Sequence, residues 1–460
     1  MEIESFDLLF TSPEYENCAF CDGETVDGLL VREIFKEFAA REELECFIRI
    51  AEHPLANEED INRRRAVLND FFYNQSLLKY MTRFTNEFDT LVKEQNRSSG
   101  IVRYRKQLVS LQMAATELRQ IIELVKSYAF LYRSYKTKSQ ELTSVLSFIA
   151  GFAAEDCSEL YKILEDLENM SVSLPFHTKI VLNEYGRLFH ACLISVKSEA
   201  TVNSGRRLFP RKKEGSDSSV AIEHITDTSL EGLTNTVRSI RDGTVRLLSK
   251  LKKQLWFYNT ALKYRLFLET SDIPCCYPSF SDKQDFSRLY DVYLLTHRKN
   301  AVPYTFTVDE SMIGCIIRGD NNSGKTVFLR SVGICQLLAQ LGLPVPAAKC
   351  SLKLYKGIFY ASASAESPCG AVSRFENEVI RISSFYNQNP NGYLLLLNEI
   401  FQSTKSEEGA DCLYNTLKCA DTLGNNWYAV THIEKVAERF RTSAETGLIQ
   451  FGDNFSFEFV

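Results

Sequence analysis

The sequence predicts an α plus α/β protein, with an arm of long helices over residues 1–275 followed by an α/β domain over residues 276–460. Three observations carry this. Up to about residue 275 apolar residues recur at three- and four-residue spacing, with no convincing alternating strands after the first thirty residues. Beyond it, short β-like runs alternate with helical ones. Only 21 glycines and 11 prolines interrupt the 460 residues, which favours long helices.

In the arm, one seam runs Leu108, Leu111, Ala115, Leu118, Ile122, Val125, Ala129, Tyr132. A second runs Leu230, Leu233, Val237, Ile240, Thr244, Leu247, Leu251, Leu255, Tyr258, Leu262. Each apolar seam needs a partner helix, so long antiparallel helices packed as a lever are the simplest solution. Between the seams, residues 195–219 are rich in serine, glycine and charge, and predict a mobile loop at the tip of the arm. Arg206, Arg207, Arg211, Lys212 and Lys213 fall there; a solvated linker is the plainer reading and a contact to a phosphate backbone the functional one.

The shift in texture around Asp272-Ile-Pro-Cys-Cys-Tyr-Pro278 marks the domain boundary. Past it, strands are predicted over Leu289–Leu295, Tyr304–Val308, Met312–Ile317, Gly357–Ala361, Tyr393–Leu397 and Trp427–Val430, and a helix over Val327–Leu341.

Composition excludes several classes. The chain is 45% hydrophobic and 24% charged, an ordinary globular balance, and its net charge of −6 is not that of a uniformly basic nucleic-acid binder. The N-terminus carries acidic residues where a secretory signal needs basic ones, and no apolar run is long enough to span a bilayer, so a cytoplasmic protein is expected. Thirteen cysteines without an export signal read as free thiols. Cys18-Ala-Phe-Cys21 has metal-ligand spacing but lacks a second knuckle, which argues against zinc.

The chemistry concentrates between residues 312 and 432. Gly319, Asp320, Asn321, Asn322, Ser323, Gly324, Lys325 and Thr326 spell GxxxxGK[ST] between a predicted strand and a predicted helix. Glycines let successive amides curl toward phosphate oxygens, Lys325 supplies a point charge to the β- and γ-phosphates, and Thr326 a hydroxyl ligand for Mg²⁺. Tyr393-Leu-Leu-Leu-Leu-Asn-Glu-Ile400 is an apolar strand with polar residues at its end, as a Walker B strand has, but with Asn398 where an aspartate is usual. Asn398 can orient Mg²⁺-bound water without contributing charge, and Glu399 can act as general base. Trp427-Tyr-Ala-Val-Thr-His432 ends in a histidine placed as the switch histidine of ABC-type ATPases, whose role is to contact the γ-phosphate.

Together these residues resemble the ATPase domain of the MutS mismatch-repair family. Gly319 to Ser331 is followed by Leu343-Pro-Val-Pro-Ala-Ala-Lys349, Ser373-Arg-Phe-Glu-Asn-Glu378, Asn398-Glu-Ile with Thr404 and Gly409, and Thr431-His432, in the family's order and approximate spacing. Upstream, Leu30 to Ile50, His53-Pro-Leu and Ile61-Asn-Arg-Arg-Arg are similar to the start of the family's core and lever region. The resemblance implies an ABC-type P-loop ATPase domain that uses ATP and Mg²⁺, with Lys325, Glu399 and His432 catalytic and Thr326 and Asn398 at the metal. It also implies that Ser373 reaches the nucleotide of a partner subunit, so that a homodimer forms around ATP, and that DNA is bound by the arm.

Three departures set expectations. No room is left before residue 25 for a mismatch-reading domain, the chain stops where the family continues into a helix-turn-helix, and Phe401-Gln-Ser replaces a Gly-Arg-Gly. The expected protein is a MutS-like ATPase that couples ATP-driven dimerisation to DNA structures other than mismatches. The alternative is a nucleotide-binding switch or scaffold with little turnover, which Asn398 favours.

Overall fold

The computed structural model describes all residues except 1–5, 11–17, 102–106, 154, 171–175, 183–187, 197–215, 298, 364–372, 442, 453–456 and 460. Four helices come first: α1 (Gly23–Gly28), α2 (Val31–Phe35), α3 (Arg41–Ala51) and α4 (Glu58–Tyr73). Then follow α5 (Gln75–Ile101), α6 (Gln107–Ser127), α7 (Phe130–Ser134), α8 (Gln140–Gly151), α9 (Glu155–Glu168), strands β1 (Phe176–Leu182) and β2 (Leu188–Val196), and the long α10 (Ser216–Thr270). The remainder is β3 (Ser279–Phe280), β4 (Gln284–Leu289), α11 (Val292–Thr296), β5 (Tyr304–Val308), β6 (Gly314–Gly319), α12 (Lys325–Gln340), β7 (Lys349–Leu352) and β8 (Gly357–Ser362), then α13 (Arg374–Tyr386), β9 (Tyr393–Asn398), α14 (Ser406–Thr422), β10 (Asn426–Val430), α15 (Glu434–Phe440), β11 (Thr446–Phe451) and β12 (Phe457–Phe459).

Packing divides the chain into two compact units. One is Met1–Leu8 with Tyr73–Leu255, the other Leu9–Phe72 with Trp256–Val460. This division does not coincide with a single cut at residue 275, because α1–α4 pack with the α/β part. Helical periodicity identifies an apolar face but not the neighbour that will cover it.

In the first unit both expected seams are helical. Leu111, Ala115, Leu118, Ile122 and Val125 are buried along α6, but Tyr132 is exposed and Leu131 buried, because α6 stops at Ser127 and the chain turns before α7. Along α10, Leu230, Val237, Thr244, Leu251 and Leu255 are buried. Arg241 ties this helix to α5 and α6, meeting Glu117 at 3.0 Å and the side-chain oxygens of Gln95 and Asn96 at 3.2 and 3.1 Å.

Two expectations for the arm need correction. Residues 176–196 hold an antiparallel hairpin, β1 with β2, where only helix was expected. Leu188-Phe-His-Ala-Cys-Leu-Ile-Ser-Val196 is mostly apolar without alternation, and such a run does not distinguish a strand from a buried helix. The expected tip loop is shorter than residues 195–219, since Ser195 and Val196 end β2 and Ser216 to Ser219 begin α10. Arg206, Arg207, Arg211, Lys212 and Lys213 lie outside the described residues.

The second unit carries a six-stranded sheet in the order β12-β11-β6-β10-β9-β8 and a four-stranded sheet, β3-β7-β4-β5. All pairs of the larger sheet are parallel except β11 with β12. Leu394, Leu395, Leu396 and Leu397 are fully buried, as a central parallel strand covered on both faces requires. On one face Leu395, Leu397, Trp427 and Ala429 pack with Ile382, Phe385, Leu413, Leu417 and Phe440 of α13, α14 and α15. On the other lies α12, close enough that a Cβ at Gly333 would sit 2.5 Å from Leu396 Cδ1 and 2.6 Å from Leu29 Cδ2.

The N-terminal helical segment is anchored to the C-terminal end of α12. Gln340 Nε2 donates to the Leu55 carbonyl at 2.8 Å, Leu55 N–H donates to the Gln340 carbonyl at 2.9 Å, and the buried Arg64 donates to the Leu9 carbonyl at 2.8 Å. Leu289–Leu295 is not one strand: β4 ends at Leu289, and Asp291 caps α11 by accepting from Leu294 N–H at 2.8 Å. Strands β3, β4, β7, β11 and β12 were not anticipated as such: β3, β7 and β12 are four residues or fewer, and β4 and β11, six residues each, lack the uninterrupted buried run of their neighbours. Cysteines among the described residues are free, including buried Cys335 and Cys350 with sulfurs 3.7 Å apart.

Gly314 begins β6 directly against the fully buried Trp427 of β10. An added Cβ there would lie 2.0 Å from the indole. Gly314→Ala is therefore expected to lower stability by about 1–3 kcal/mol, read as a lower urea midpoint by tryptophan fluorescence; an unchanged midpoint would mean that the indole can shift freely.

Candidate functional site

Three neighbouring parallel strands, β6, β10 and β9, end together, and every residue of the expected site except Ser373 lies on or just past those ends. Clefts at the carboxyl ends of parallel strands are where α/β sheets place ligands. After β6 the chain curls. Gly319 has φ 144°, and a side chain there would meet Phe451 Cβ at 2.6 Å and the Phe451 carbonyl oxygen at 2.7 Å, so only glycine fits. Asn322 and Gly324 are also left-handed, at φ 65° and 101°, before α12 starts at Lys325.

Lys325 is 4% exposed and folds back into this loop, its Nζ donating to the Gly319 carbonyl at 2.9 Å and the Asp320 carbonyl at 2.7 Å. Loss of hydration pulls its pKa down, opposed by the charges of Glu399 and Asp320. Ser323 Oγ is buried and has no hydrogen-bond partner among the described residues. Asp320, Asn321 and Asn322 are exposed on the outside of the curl.

One turn along, Thr326 Oγ1 donates to Asn398 Oδ1 at 3.2 Å, joining the first turn of α12 to the end of β9. Glu399 then takes φ 55°, and its N–H crosses to the Val430 carbonyl at 3.0 Å. Just past β10, buried Thr431 donates its N–H to the Ile317 carbonyl at 3.1 Å, and its Oγ1 accepts from Ile433 N–H at 3.1 Å. These bonds leave His432 pointing out of the sheet edge with Nε2 3.3 Å from Glu399 Oε1.

Supporting groups lie behind. The Arg330 guanidinium of α12 is held at 2.9 Å by buried Asp291, which also accepts from Ser331 Oγ at 3.4 Å. Glu378, buried in α13, accepts from Phe401 N–H at 2.6 Å, just past Glu399. Gly409 lets α14 approach the same turn, since a Cβ would come within 2.3 Å of the Phe401 carbonyl oxygen. Ser373 is the N-cap of α13, accepting from Glu376 N–H at 3.2 Å while Glu376 reaches back to the Ser373 N–H.

The family model for MutS domain V matches residues 315–447, which spans β6 through β11 and contains the whole constellation. The chain is thus similar to MutS-family proteins, most directly over residues 315–447. It is 24% identical over 356 residues to "Endonuclease MutS2" of Streptococcus equi subsp. equi, covering 73% of this chain and 44% of that protein. To "DNA mismatch repair protein MutS" of Petrotoga mobilis it is 26% identical over 143 residues, 30% of this chain and 18% of the relative. To "Endonuclease MutS2" of Ruminiclostridium cellulolyticum it is 28% identical over 166 residues, 36% and 21% respectively. The chain thus spans less than half the length of the curated relatives it matches.

The structure brings Gly319 to Thr326, Asn398, Glu399 and His432 to one sheet edge and places Ser373 at a helix start. Among the described residues no group of three or more histidine, cysteine or acidic side chains could hold a metal ion, and burial pushes the Cys21 thiol well up. Two contributors, Asp291 and Tyr360, escaped sequence reasoning. Asp291 precedes a short apolar run, a helix-cap signal that could have been read. Tyr360 carries no local signal; its phenol, whose pKa burial raises, bonds Ser362 and Asn398, whereas Glu378 stands in the Ser373 to Glu378 motif and only its bond to Phe401 is new.

Because Asp291 is the carboxylate partner of a buried guanidinium and also caps α11, Asp291→Ala is expected to cost about 3–5 kcal/mol. Chemical denaturation would show it, and Asp291→Asn, which keeps the cap, should recover part of the loss. Wild-type stability in Asp291→Ala would mean that Arg330 finds another partner.

Proposed function

We propose that this chain is a MutS-like ATPase of the ABC type that uses ATP binding to close a homodimer and couples that step to DNA held by its helical arm. The observation that supports this best is the convergence, on adjacent strand ends, of a curled loop with an inward lysine, the Thr326–Asn398 pair and the Glu399–His432 pair. An ordinary sheet edge has no reason to bury Lys325 against two carbonyls or to leave Ser323 Oγ without a partner.

The residues suit a triphosphate. Amides of residues 319–326, at the positive end of α12, would donate to phosphate oxygens, and Lys325 would exchange its carbonyl contacts for β- and γ-oxygens. Thr326 Oγ1 and Asn398 Oδ1 are paired oxygens that would hold Mg²⁺, which when bound neutralises phosphate charge. Glu399 takes a proton from the attacking water, His432 orients the carboxylate and contacts the γ-phosphate, and the backbone bonds to Val430 and Ile317 keep both side chains at the cleft. Ser373, at the positive start of the 13-residue α13, serves a nucleotide held by a second copy.

DNA is proposed as the ligand because the relatives' names refer to DNA mismatch repair and to an endonuclease, with phosphate contacts from Arg206, Arg207, Arg211, Lys212 and Lys213. No described helix is long and apolar enough to cross a membrane, and the proposed setting is cytoplasmic. A second reading, a nucleotide switch with little turnover, is favoured by Asn398, which brings no negative charge to the metal position.

Two experiments test the proposal. Lys325→Ala should weaken ATP binding roughly 30- to 150-fold, the worth of a charge-assisted contact of about 2–3 kcal/mol, whereas Glu399→Gln should retain ATP yet lose at least about 10²-fold in hydrolysis. Calorimetry paired with phosphate release separates the cases: unchanged ATP affinity in Lys325→Ala sinks the site, and no measurable wild-type hydrolysis selects the switch.

Assembly is checked by light scattering on the Glu399→Gln protein. ATP should shift its mass to that of a dimer, and adding Ser373→Arg should abolish the shift. A dimer that survives the arginine contradicts the role given to Ser373.

A further inference from the structure

Among the residues whose side chains are described, five aromatic residues are exposed large hydrophobics, and four of them, Tyr73, Tyr80, Phe130 and Tyr132, belong to the first unit, at 74, 41, 45 and 48% exposure. Single exposed rings need no explanation, but a cluster does. The Tyr80 ring meets Phe130 edge-on at 5.8 Å and Tyr135 at 6.5 Å. Phe130 in turn lies against Tyr128 at 6.2 Å, and Tyr128 is buried against Phe84. Hydrogen bonds hold the base of this cluster: Tyr128 donates to Glu87 at 2.8 Å and Tyr135 to Ser76 Oγ at 2.9 Å. The rings of Tyr80, Tyr128, Phe130 and Tyr135 therefore form a supported surface rather than loose side chains, and exposed Tyr132 lies on the same short helix as Phe130.

The segment that carries Phe130, Tyr132 and Tyr135 is cationic on an acidic protein. Phe130-Leu-Tyr-Arg-Ser-Tyr-Lys-Thr-Lys138 interleaves rings with Arg133, Lys136 and Lys138, all exposed, and no acidic residue occurs between Lys126 and Gln140, although the whole chain carries −6. Across from it α5 presents exposed Lys79 and Arg83. The acidic groups nearest in sequence are Glu87, engaged by Arg83 at 2.8 Å and by Tyr128, and half-buried Glu141. A protein partner is disfavoured by this interleaving, since the cores of protein interfaces are depleted of lysine. Rings for base faces alternating with cations for phosphates are instead the combination that holds single strands without reading sequence.

We propose that the face formed by Tyr80, Phe130, Tyr132, Arg133 and Lys136 binds single-stranded DNA, stacking unpaired bases on the rings and holding their phosphates with the cations. The choice of DNA over RNA rests on the DNA-binding reading above; the surface itself does not. It needs no nucleotide at the loop of residues 319–326 and none of the basic residues at 206–213.

The test uses the full chain without ATP and a labelled oligothymidylate of about 16 nucleotides, the upper end of a single-strand site, read by fluorescence anisotropy. Tyr132→Ala should weaken binding roughly tenfold, Tyr132→Trp should retain it, and binding of matched duplex should change little in either. Arg133→Ala with Lys136→Ala should flatten the log-log salt slope by about 1.4, near 0.7 per contact on a single strand. A 5-iododeoxyuridine oligonucleotide should photocrosslink to Tyr80, Phe130 or Tyr132. Because Tyr132 is exposed, circular dichroism of Tyr132→Ala should match the parent.

Equal losses on single strand and duplex, adducts only outside residues 73–138, or tighter binding of oligouridylate than oligothymidylate would each overturn the proposal. So would unchanged oligothymidylate affinity in Tyr132→Ala, whether or not a protein partner is captured by the face. Failure of ATP or duplex binding alongside intact oligothymidylate binding would count against the ATPase reading and leave this one standing.

Discussion

The candidate site depends on two backbone hydrogen bonds between strand ends, Thr431 N–H to the Ile317 carbonyl and Glu399 N–H to the Val430 carbonyl. They continue the parallel ladder one step past β10 and β9, at the point where the chain would otherwise diverge into loops. Everything chemical hangs from that step. The curl at Gly319, the carboxylate of Glu399 and the imidazole of His432 face one space because their strands are kept in register to the last residue. The second bond forms with Glu399 in the left-handed region, a conformation that costs free energy and is held here by the ladder on one side and by Glu378 at Phe401 N–H on the other.

That edge is rigid because what lies beneath it is dense. Helix α12 is buried along nearly its whole length, including Ser331, Gln336 and Gln340, and its polar side chains find internal partners rather than water. Gln340 is satisfied by the carbonyls of Leu55 and Tyr355, so the end of α12 away from the loop is stapled to the N-terminal helical segment. The end nearer the loop is pinned by the Arg330–Asp291 pair. A helix fixed at both ends holds its first-turn amides and the Thr326 hydroxyl in place with little reorganisation, which is the requirement for an anion site.

The first unit is organised differently. Its helices associate through apolar seams, and charge enters at seam edges, as with Arg241 between Glu117, Gln95 and Asn96, and Lys252 with Asp89 at 2.9 Å. Partly exposed pairs of this kind contribute little stability individually but disfavour alternative registers of long helices. The exposed aromatic face around Phe130 stands apart, because exposing rings brings no folding benefit and calls for another reason.

Much of the candidate site was legible in sequence because its chemistry is local. A glycine-rich loop between an apolar run and a helix, and polar residues ending apolar strands, are patterns within ten residues, and Gly319 to Thr326, Asn398, Glu399 and His432 could be named from them. The sequence by itself also determined the long helical seams and the buried strands β6, β8, β9 and β10, since burial on both faces leaves an uninterrupted apolar run. Tertiary structure alone decided what lies far apart in the chain. That α1–α4 belong with the α/β unit, that Asp291 meets Arg330, and that Glu378 holds the turn at Phe401 depend on which apolar faces cover one another. Periodicity is silent on that, because a helix or a strand records that it has a buried face and not against what.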